Sequence, residues 1–436
     1  SSAMGEGDRL ISNQGKNSRM KSPLQNHKID LRFIVTPRRV YHKYYNVICN
    51  PLLWFLQHYM WNPLYNPNVD SNIHDAWTNG YVEVNKSFAK TVIDEAKSEL
   101  EPPIVISHDY HLYLLPKYIR QGLPKSIVQH FIHLPWPTSR YWQMVPRYII
   151  QDILDSLCHS NLLGFQTPQD KQSFLETVNH YLPDAEIDWN NSIVRYKGFT
   201  SEAKIYPMTI NVSEIERIAS SPRALEYEDQ FRSTTRETSL IVRVDRAEPN
   251  RNIVRGFKAY DLLLAQHQEL RGKISFLAFL VLSRTHIRQY QRYMDEINEI
   301  ITKINDSYGT DTWKPIQIFL ENNYSQAIAG LKLYDVLLIN TIIEGMNLVA
   351  KEGPIVNSKD GVLVLSESCG AYHQLKDHVL AVSPTDIHGT MEALFQGITM
   401  PPSERRQNAK NLYNSIAKAD INDWLLSQLE DIGNLL

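Results

Sequence analysis

The chain has 436 residues, of which 43% are hydrophobic and 21% are charged. A chain of this length usually needs more than one hydrophobic core, and the composition excludes wholesale disorder, so we expect two globular domains. The formal net charge of −3 excludes the strongly basic surface with which a general nucleic-acid-binding protein displaces counterions. A small anionic ligand is still compatible, because a few arginines in one site hardly change the total charge.

The cysteines and the apolar segments indicate the cellular compartment of the protein. Cys49, Cys158 and Cys369 are odd in number and far apart, which favours buried, reduced thiols over a disulfide framework. No apolar run approaches the roughly 18 residues of a membrane span, and the first residues lack the pattern of a signal peptide. The sequence therefore predicts a cytoplasmic protein without a membrane partner.

Short apolar runs alternate with helical patterns along the chain. The runs that predict strands are 104–107, 126–132, 240–244, 273–281, 316–319, 336–339 and 362–365. Near-continuous Val, Ile and Leu runs are typical of strands that are buried on both faces, and their alternation with helices predicts parallel sheets. The predicted fold class is therefore α/β, with two Rossmann-type, doubly wound parallel-sheet domains that face a central cleft.

A proline-marked stretch separates two such series of strands and helices at residues 206–209. The predicted N-terminal domain accordingly spans 1–208 and the predicted C-terminal domain spans 209–418. An amphipathic helix over 419–436 is expected to pack back on the N-terminal domain. Residues 1–28 are polar, and the opening strand of a doubly wound domain is not recognisable in them.

Two arginines, Arg246 and Arg251, follow the predicted strand 240–244. Guanidinium groups at the carboxyl end of a strand can bind a diphosphate bidentately and stabilise the charge that builds on it as it leaves. The alternative is a solvated surface loop in which Arg246 pairs with Glu248, and the spacing alone favours that alternative.

A second motif, residues 344–352, follows the predicted strand 336–339. Gly345 permits a tight turn, and a helix that begins after it would offer free N–H groups and a positive dipole end to a phosphate. Glu344 and Glu352 could accept hydrogen bonds from sugar hydroxyls. A capped helix with ordinary surface acids is an equally open interpretation.

Two predicted strands of the N-terminal domain also end in polar residues. Asp109 follows the strand 104–107 and could bind acceptor hydroxyls, or it could simply cap a helix. His133 follows the strand 126–132, where two prolines fix a rigid turn, although a lone histidine at a strand end is more often structural. A metal site at His108 and His111 is not expected, because further ligands at typical spacing are missing from the sequence.

Arg284 is one more cation after a predicted strand, and a solvated arginine is its commoner state. Tyr45 and Trp54 lie in an aromatic stretch that could stack on a sugar ring, although core packing on a helix is the interpretation that the spacing favours. Most of these positions follow predicted strands, where a two-domain parallel-sheet enzyme keeps its site. Together they favour an anionic, hydroxyl-rich ligand.

The chain resembles the trehalose-phosphate synthase family of retaining glycosyltransferases. The motifs that carry this resemblance are Tyr44-Tyr45-Asn46 with Trp54, His108-Asp109-Tyr110-His111-Leu112, His133-Leu134-Pro135-Trp136-Pro137, Leu163-Gly164-Phe165-Gln166-Thr167, Ser283-Arg284 and Glu344-Gly345-Met346-Asn347-Leu348-Val349-Ala350-Lys351-Glu352. They occur in the family's order. The resemblance implies a GT-B fold, a nucleotide-diphosphate sugar donor such as UDP- or GDP-glucose, a sugar-phosphate acceptor, and neither a metal nor another cofactor.

The resemblance also implies roles for individual residues. Arg246 and Arg251 would hold the donor diphosphate and, with His133 and Asp109, would act in catalysis by positioning and charge stabilisation rather than by covalent attack. The acceptor sugar phosphate would be bound by Tyr45, Trp54, Asp109 and Arg284. The donor would be bound by Glu344, Gly345, Met346, Asn347, Leu348, Val349 and Glu352.

The sequence departs from the family at three places. Arg251 replaces the usual lysine, Glu344 replaces the usual aspartate, and the family's N-terminal strand with its glycine-rich loop is not recognisable.

Trp136 and the loop 246–252 also resemble the family's pseudo-glycosyltransferase branch, which joins a nucleotide-linked cyclitol to an aminocyclitol phosphate. Two alternatives therefore stay open, namely this coupling reaction and a non-catalytic protein that binds sugar phosphate or nucleotide. A homo-oligomer is also compatible with the sequence.

Overall fold

A computed structural model describes residues 19–22, 28–61, 68–235, 238–285 and 287–436. The chain divides into two compact units, one of residues 1–205 with 432–436 and the other of residues 206–431. Each unit contains a six-stranded sheet. Most of the N-terminal segment in which no opening strand is recognisable lies outside the described residues.

The first unit combines parallel and antiparallel strands. Its strands are β1 (Met20–Lys21), β2 (Asp30–Leu31), β3 (Ile104–His108), β4 (Ile127–Ile132), β5 (Leu162–Phe165), β6 (Glu186–Asp188), β7 (Ile193–Tyr196) and β8 (Phe199–Ile205). The six-stranded sheet has the order β3-β4-β5-β8-β7-β6, and β1 pairs with β2 separately. Pairing is parallel from β3 to β8 and antiparallel from β8 to β6. Both β4 and β5 are buried along their whole length, as expected for strands inside a sheet that is covered on both faces.

The helices of the first unit include two π-helical segments, His42–Trp54 and Trp77–Val82. Its α-helices are α1 (Arg38–Tyr41), α2 (Phe55–Gln57), α3 (Ser71–Ala76), α4 (Glu83–Ala96), α5 (Leu115–Gly122), α6 (Arg147–Leu157) and α7 (Pro168–Tyr181), with short 3-10 turns at Tyr110–Leu112 and Tyr141–Met144. The start of α7 follows from local sequence. Thr167 caps it by accepting a hydrogen bond from Asp170 N, and a proline occupies its first turn.

The second unit is built on a fully parallel sheet. Its strands are β9 (Ser239–Arg246), β10 (Ile274–Val281), β11 (Ile316–Phe319), β12 (Val336–Ile339), β13 (Val362–Ser366) and β14 (Leu380–Val382). Their order in the sheet is β11-β10-β9-β12-β13-β14, and every pairing is parallel. Counted within the unit this order is 3-2-1-4-5-6, the arrangement of Rossmann folds.

Helices follow most strands of the second unit. They are α8 (Val212–Ala219), α9 (Pro222–Thr235), α10 (Ile253–Gln266), α11 (Arg288–Tyr308), α12 (Tyr324–Leu333), α13 (Val349–Val356), α14 (Tyr372–Leu375), α15 (Ile387–Thr399), α16 (Pro402–Ala417) and α17 (Ile421–Gly433), with 3-10 turns at Pro249–Arg251, Gln268–Leu270 and Lys376–His378. Within the described part of the chain, none of the helices is long and apolar enough to cross a membrane.

Each face of the second sheet packs against its own apolar cluster. Ile241 and Val242 are neighbours on β9 and both are fully buried, yet they belong to different clusters. Leu337 and Leu338 of β12 divide in the same way. Burial of one such side chain contributes about 1.5–3 kcal/mol, so the sheet is stabilised from both sides.

The structure confirms the predicted fold class, an α/β protein with two Rossmann-type sheets. The strands predicted at 316–319 and 336–339 have the predicted limits as β11 and β12, and the other predicted strands differ by one or two residues at an end. Sequence analysis missed β1, β2, β5 to β8 and β14.

Candidate functional site

The loops after β9 and β12 lie at the point where the strand order of the second sheet reverses. The two strands are neighbours, and β10 and β13 continue the sheet in opposite directions from them. Ligands of open parallel sheets bind beyond the carboxyl ends of the strands at such a point. Hydrogen bonds join the two loops, from Ile342 N to Asn250 O at 2.8 Å and from Asn252 Nδ2 to Asn340 O at 2.8 Å.

A buried ion pair in β9 stabilises the loop that follows this strand. Arg243 is fully buried in β9, and its Nε and Nη2 donate to Asp245 Oδ2 at 3.0 and 2.8 Å. Its Nη2 also donates to the carbonyl oxygen of Arg251 at 3.0 Å. A Cβ at Gly256 would lie 2.5 Å from Arg243 Nη1, so the glycine makes room for the guanidinium group. Sequence analysis missed this pair, although two charges in an otherwise apolar strand are a visible signal.

Arg251 and Glu344 form a second buried ion pair, which joins the predicted diphosphate-binding loop to the glycine motif. Their side chains are 12% and 8% exposed. The second carboxylate oxygen of Glu344 accepts a hydrogen bond from Asn347 Nδ2 at 2.9 Å. Burial raises the pKa of Glu344, and the charge of Arg251 opposes this effect. Arg251 Nε is buried and has no hydrogen-bond partner among the described residues, so an oxygen atom of a ligand could satisfy it.

The loop after β9 is only partly solvated. The side chain of Arg246 is 55% exposed and lies 3.6 Å from Glu248, as the surface-loop alternative requires. Glu248, however, is 1% exposed and accepts hydrogen bonds from Ser283 Oγ at 2.8 Å and from Arg284 Nη1 at 3.1 Å. Burial opposes its ionisation, but the charges of Arg246, Arg284 and Arg251 together lower its pKa. The solvated-loop alternative is therefore wrong for Glu248.

Arg284 is held in an unusual backbone conformation after β10. Its φ is 45°, in the left-handed region that few residues other than glycine adopt. Its Nη1 donates to Tyr290 Oη at 2.6 Å, and its side chain is 12% exposed rather than solvated. A cavity of about 310 Å³ is lined by the two chain neighbours of Arg284, Ser283 and Thr285, and by Ala247 and Tyr290 among others.

The glycine motif makes a close backbone contact with residues after β13. A Cβ at Gly370 would lie 1.7 Å from Gly345 O, so a side chain cannot be accommodated there. The backbone of Glu344 donates to Ser368 O at 3.2 Å and accepts from Gly370 N at 2.8 Å. The segment of Gly345, Met346, Asn347 and Leu348 then leads into α13 at Val349, where Asn347 Oδ1 accepts from Ala350 N at 3.0 Å. The predicted helix is present, but it begins at Val349, two residues after the predicted start at Asn347.

Two charged residues of α13 differ in burial, with Lys351 fully buried and Glu352 partly buried. Glu352 accepts a hydrogen bond from Tyr324 Oη at 3.0 Å, and burial raises its pKa. Lys351 is 1% exposed and donates to Met208 O at 2.6 Å, and burial lowers its pKa to about 8. Glu352 is thus a partly buried acid, and its role in donor binding stays a prediction.

In the first unit, Asp109 and His133 lie together at the carboxyl ends of two neighbouring strands, β3 and β4. Asp109 has a φ of 68°, and its Oδ1 accepts from His133 N at 3.2 Å. Its side chain makes no capping hydrogen bond to the 3-10 turn that follows. Asp109 thus occupies the N-cap position of this turn without capping it through the side chain, and its carboxylate holds the backbone of His133 instead.

His133 also contacts His108 and Gln166. His133 Nε2 lies 3.0 Å from His108 Nδ1, and Gln166 Nε2 lies 3.4 Å from His133 Nδ1. Burial, assisted by the charge of His108, lowers the pKa of His133 to about 4. His133 is therefore a neutral hydrogen-bonding group near pH 7. Gln166 belongs to a motif of the family resemblance, but sequence analysis gave it no role.

The two predicted acceptor-binding aromatic residues differ in exposure. Trp54 is 2% exposed and packs against Phe55 and His58, with ring centroids 5.1 and 4.3 Å apart. Tyr45 is partly exposed and stacks between Tyr41 and His111, at 5.4 and 5.8 Å. Core packing thus describes Trp54, and the role of both residues in acceptor binding stays a prediction.

The buried histidines predict how stability depends on pH. Burial, with the charges of His108 and His133, lowers the pKa of His130 from 6.5 to about 3. At His130 the unfolded chain therefore binds a proton below pH 6.5 that the folded chain does not, and this contribution to the free energy of unfolding should fall as the pH is lowered towards 4. Chemical denaturation at a series of pH values measures this slope. His130→Gln should reduce it, and exposed His388→Gln should not; a slope that His130→Gln leaves unchanged would contradict the assignment.

The described residues contain no group of three or more His, Cys, Asp or Glu side chains that could hold a metal ion. What they offer instead is a set of arginines and buried carboxylates around the strand-order reversal of a Rossmann-type unit. Such a site is suited to a ligand that combines phosphate with hydroxyl groups.

Comparison with known proteins agrees with this class of site. The sequence model of glycosyltransferase family 20 matches residues 8–434, and the chain belongs to this family. The match includes most of the N-terminal segment in which no family strand is recognisable. The protein is therefore a glycosyltransferase.

Three relatives illustrate the range of the family. The chain is 25% identical to the validamine 7-phosphate valienyltransferase of Streptomyces hygroscopicus subsp. jinggangensis, over 93% of this chain and 79% of the relative. It is 28% identical to the UDP-forming α,α-trehalose-phosphate synthase of Candida albicans, over 87% of this chain and 78% of the relative. Among solved structures, the UDP-forming synthase of Burkholderia xenovorans in complex with glucose-6-phosphate has a TM-score of 0.86 and 26% identity, with 95% of this chain and 90% of that chain covered.

Proposed function

We propose that the protein transfers a glucosyl-type group, with retention at the anomeric carbon, from a nucleotide-diphosphate sugar to a sugar phosphate, as in trehalose 6-phosphate synthesis. The observation that carries the proposal is the buried Arg251–Glu344 pair beside Arg246 at the strand-order reversal. It brings a diphosphate-binding cation and a sugar-binding acid to one place. The relatives support UDP-glucose and glucose 6-phosphate as the first substrates to test.

The donor is bound by the second unit in this proposal. Arg246 and the buried Arg251 hold the diphosphate, and Arg251 Nε donates to one of its oxygens. Glu344 accepts from a hydroxyl of the donor sugar, and Glu352 accepts from the ribose. The donor sugar and phosphate lie along the backbone of Gly345, Met346, Asn347, Leu348 and Val349.

The acceptor phosphate is bound by Arg284, and the acceptor sugar is bound by Tyr45, Trp54 and Asp109. His133 donates to or accepts from the transferred sugar as a neutral group, because its pKa of about 4 leaves it unprotonated near pH 7. The predicted domain 1–208 then serves the acceptor, and the predicted domain 209–418 serves the nucleotide sugar. The helix predicted over 419–436 is proposed to pack on the predicted domain 1–208.

The reaction needs neither a nucleophile nor a cofactor from the protein. The acceptor hydroxyl oxygen forms a bond to the anomeric carbon on the face from which the diphosphate oxygen departs, and the hydroxyl proton passes to the departing diphosphate. Two arginines at the leaving group stabilise the charge that develops there, which is typically worth several kcal/mol. No metal enters this scheme. A cytoplasmic location and a homo-oligomer remain part of the proposal, the former because the sequence predicts reduced thiols and all three cysteines are buried.

A second candidate function is the coupling of a nucleotide-linked cyclitol to an aminocyclitol phosphate. The valienyltransferase relative, matched over 93% of this chain, favours it. Trp136 and the loop 246–252 favour it as well. The same residues would hold the diphosphate and the acceptor phosphate, so the two candidates differ in the transferred ring and in the acceptor ring.

Product analysis by mass spectrometry separates the two candidates. With UDP-glucose and glucose 6-phosphate we expect a disaccharide phosphate to accumulate over many turnovers. A product only with the cyclitol pair would replace the first candidate by the second. Ligand binding without any product from either pair would contradict both.

A further inference from the structure

Glu248 is a buried carboxylate that contacts two arginines with different proposed ligands. Its Oε1 accepts from Arg284 Nη1 at 3.1 Å and from Ser283 Oγ at 2.8 Å, and Arg246 Nη1 lies 3.6 Å away. The proposed function gives the acceptor phosphate to Arg284 and the donor diphosphate to Arg246. One carboxylate therefore contacts both the arginine proposed to bind the acceptor phosphate and one of the arginines proposed to bind the donor diphosphate.

The surroundings of Glu248 keep it in place and charged. The residue is 1% exposed, and its carbonyl oxygen accepts from Arg251 N at 2.9 Å where the 3-10 turn Pro249–Arg251 closes. Burial opposes ionisation, but the charges of Arg246, Arg284 and Arg251 lower its pKa, so it is an anion at neutral pH. A buried charge of this kind is weak support for stability by itself, because well-packed apolar residues often replace it without loss.

The two contacts of Glu248 differ in strength. The contact with Arg284 is a hydrogen bond, whereas 3.6 Å to Arg246 is an ion pair that is too long for one. A phosphate that binds Arg284 competes with Glu248 for the same guanidinium group. As that hydrogen bond weakens, the carboxylate can turn towards Arg246, whose half-exposed side chain is then held in one orientation at the leaving diphosphate.

We propose that Glu248 is a positioning residue that couples binding of the acceptor phosphate at Arg284 to binding of the donor diphosphate at Arg246. This inference rests on the proposed function. It makes full engagement of the leaving diphosphate depend on a bound acceptor, which disfavours hydrolysis of the donor by water. Because coupling between two ligands is reciprocal, it can be measured from either side as a change in affinity.

The test is calorimetric binding of UDP, and separately of GDP, to the full chain with and without saturating glucose 6-phosphate. The wild type is expected to bind one of the two nucleotides. Glucose 6-phosphate should tighten that binding by about fivefold or more, which is the lower end of typical coupling. Glu248→Gln keeps the shape of the side chain and removes the charge. In this variant glucose 6-phosphate should change the nucleotide affinity by less than about twofold. Glu248→Asp keeps the charge on a shorter side chain and should give an intermediate value. Exposed Glu296→Gln in α11 is the matched control and should behave as the wild type.

Each outcome supports or overturns the proposed coupling through Glu248. Wild-type coupling in Glu248→Gln, or no coupling in the wild type, would overturn the inference. If Glu248→Gln does not fold, Glu248→Asp decides, because a purely structural role predicts unchanged coupling in any folded variant. Failure of the wild type to bind either nucleotide or glucose 6-phosphate would instead count against the proposed function. Steady-state kinetics adds a second readout, in which Glu248→Gln should lower kcat about tenfold or more and, at saturating acceptor, raise the donor KM by about the fivefold coupling that is lost.

Discussion

Replacement of Arg251 by alanine is expected to lower kcat by about 10²–10³-fold, the usual cost of removing one group that stabilises developing charge. The guanidinium group is buried, its Nε has no hydrogen-bond partner among the described residues, and it pairs with Glu344. Alanine removes the proposed diphosphate contact and leaves Glu344 without its counter-charge. Turnover of UDP-glucose with glucose 6-phosphate measures the effect.

Two further variants separate the role of the charge from a general effect on folding. Arg251→Lys restores a cation but not a planar fork, so it should recover part of the lost rate. Arg406→Ala removes an arginine whose side chain is 75% exposed and should leave kcat unchanged. Wild-type turnover in Arg251→Ala would contradict the assignment of the diphosphate site.

Replacement of Arg243 by methionine is expected to lower the free energy of unfolding by about 3–5 kcal/mol, the usual cost of leaving one member of a buried ion pair alone. Arg243 and Asp245 have side chains that are 0% and 3% exposed. The change also removes the hydrogen bond to the carbonyl oxygen of Arg251, so the diphosphate-binding loop should loosen. Urea denaturation followed by circular dichroism measures the loss.

The double variant Arg243→Met with Asp245→Asn tests the cause of this loss. Because it removes both charges, it should be more stable than Arg243→Met alone, and the two substitutions should be non-additive. Equal stability of the single and double variants would mean that the cavity, and not the unpaired charge, accounts for the loss.

The fold was largely predictable because its signals are local. Runs such as Val336–Ile339 and Ile316–Phe319 are strand-length and apolar throughout, so they predict buried parallel strands without knowledge of their neighbours. The missed strands lack that signal. Glu186–Asp188 is short and polar, Leu162–Phe165 contains a glycine, and Leu380–Val382 has three residues.

The candidate site was predictable as a set of positions but not as a set of contacts. Arg251 and Glu344 are 93 residues apart, and the pairing of β9 with β12 brings them together. Spacing alone favoured a solvated pair of Arg246 and Glu248, but Arg284, 36 residues further on, reaches Glu248 in its buried position. Nothing in the spacing of residues 246–252 could indicate that contact.

The central claim is sugar transfer to a phosphorylated acceptor, and release of nucleotide diphosphate tests it most directly. The purified chain would be incubated with UDP-glucose or GDP-glucose, with and without glucose 6-phosphate, and the released UDP or GDP would be measured over time. We predict multiple-turnover release from one donor that depends on the sugar phosphate. Release that is equally fast without glucose 6-phosphate, or its absence with both donors, would contradict the claim.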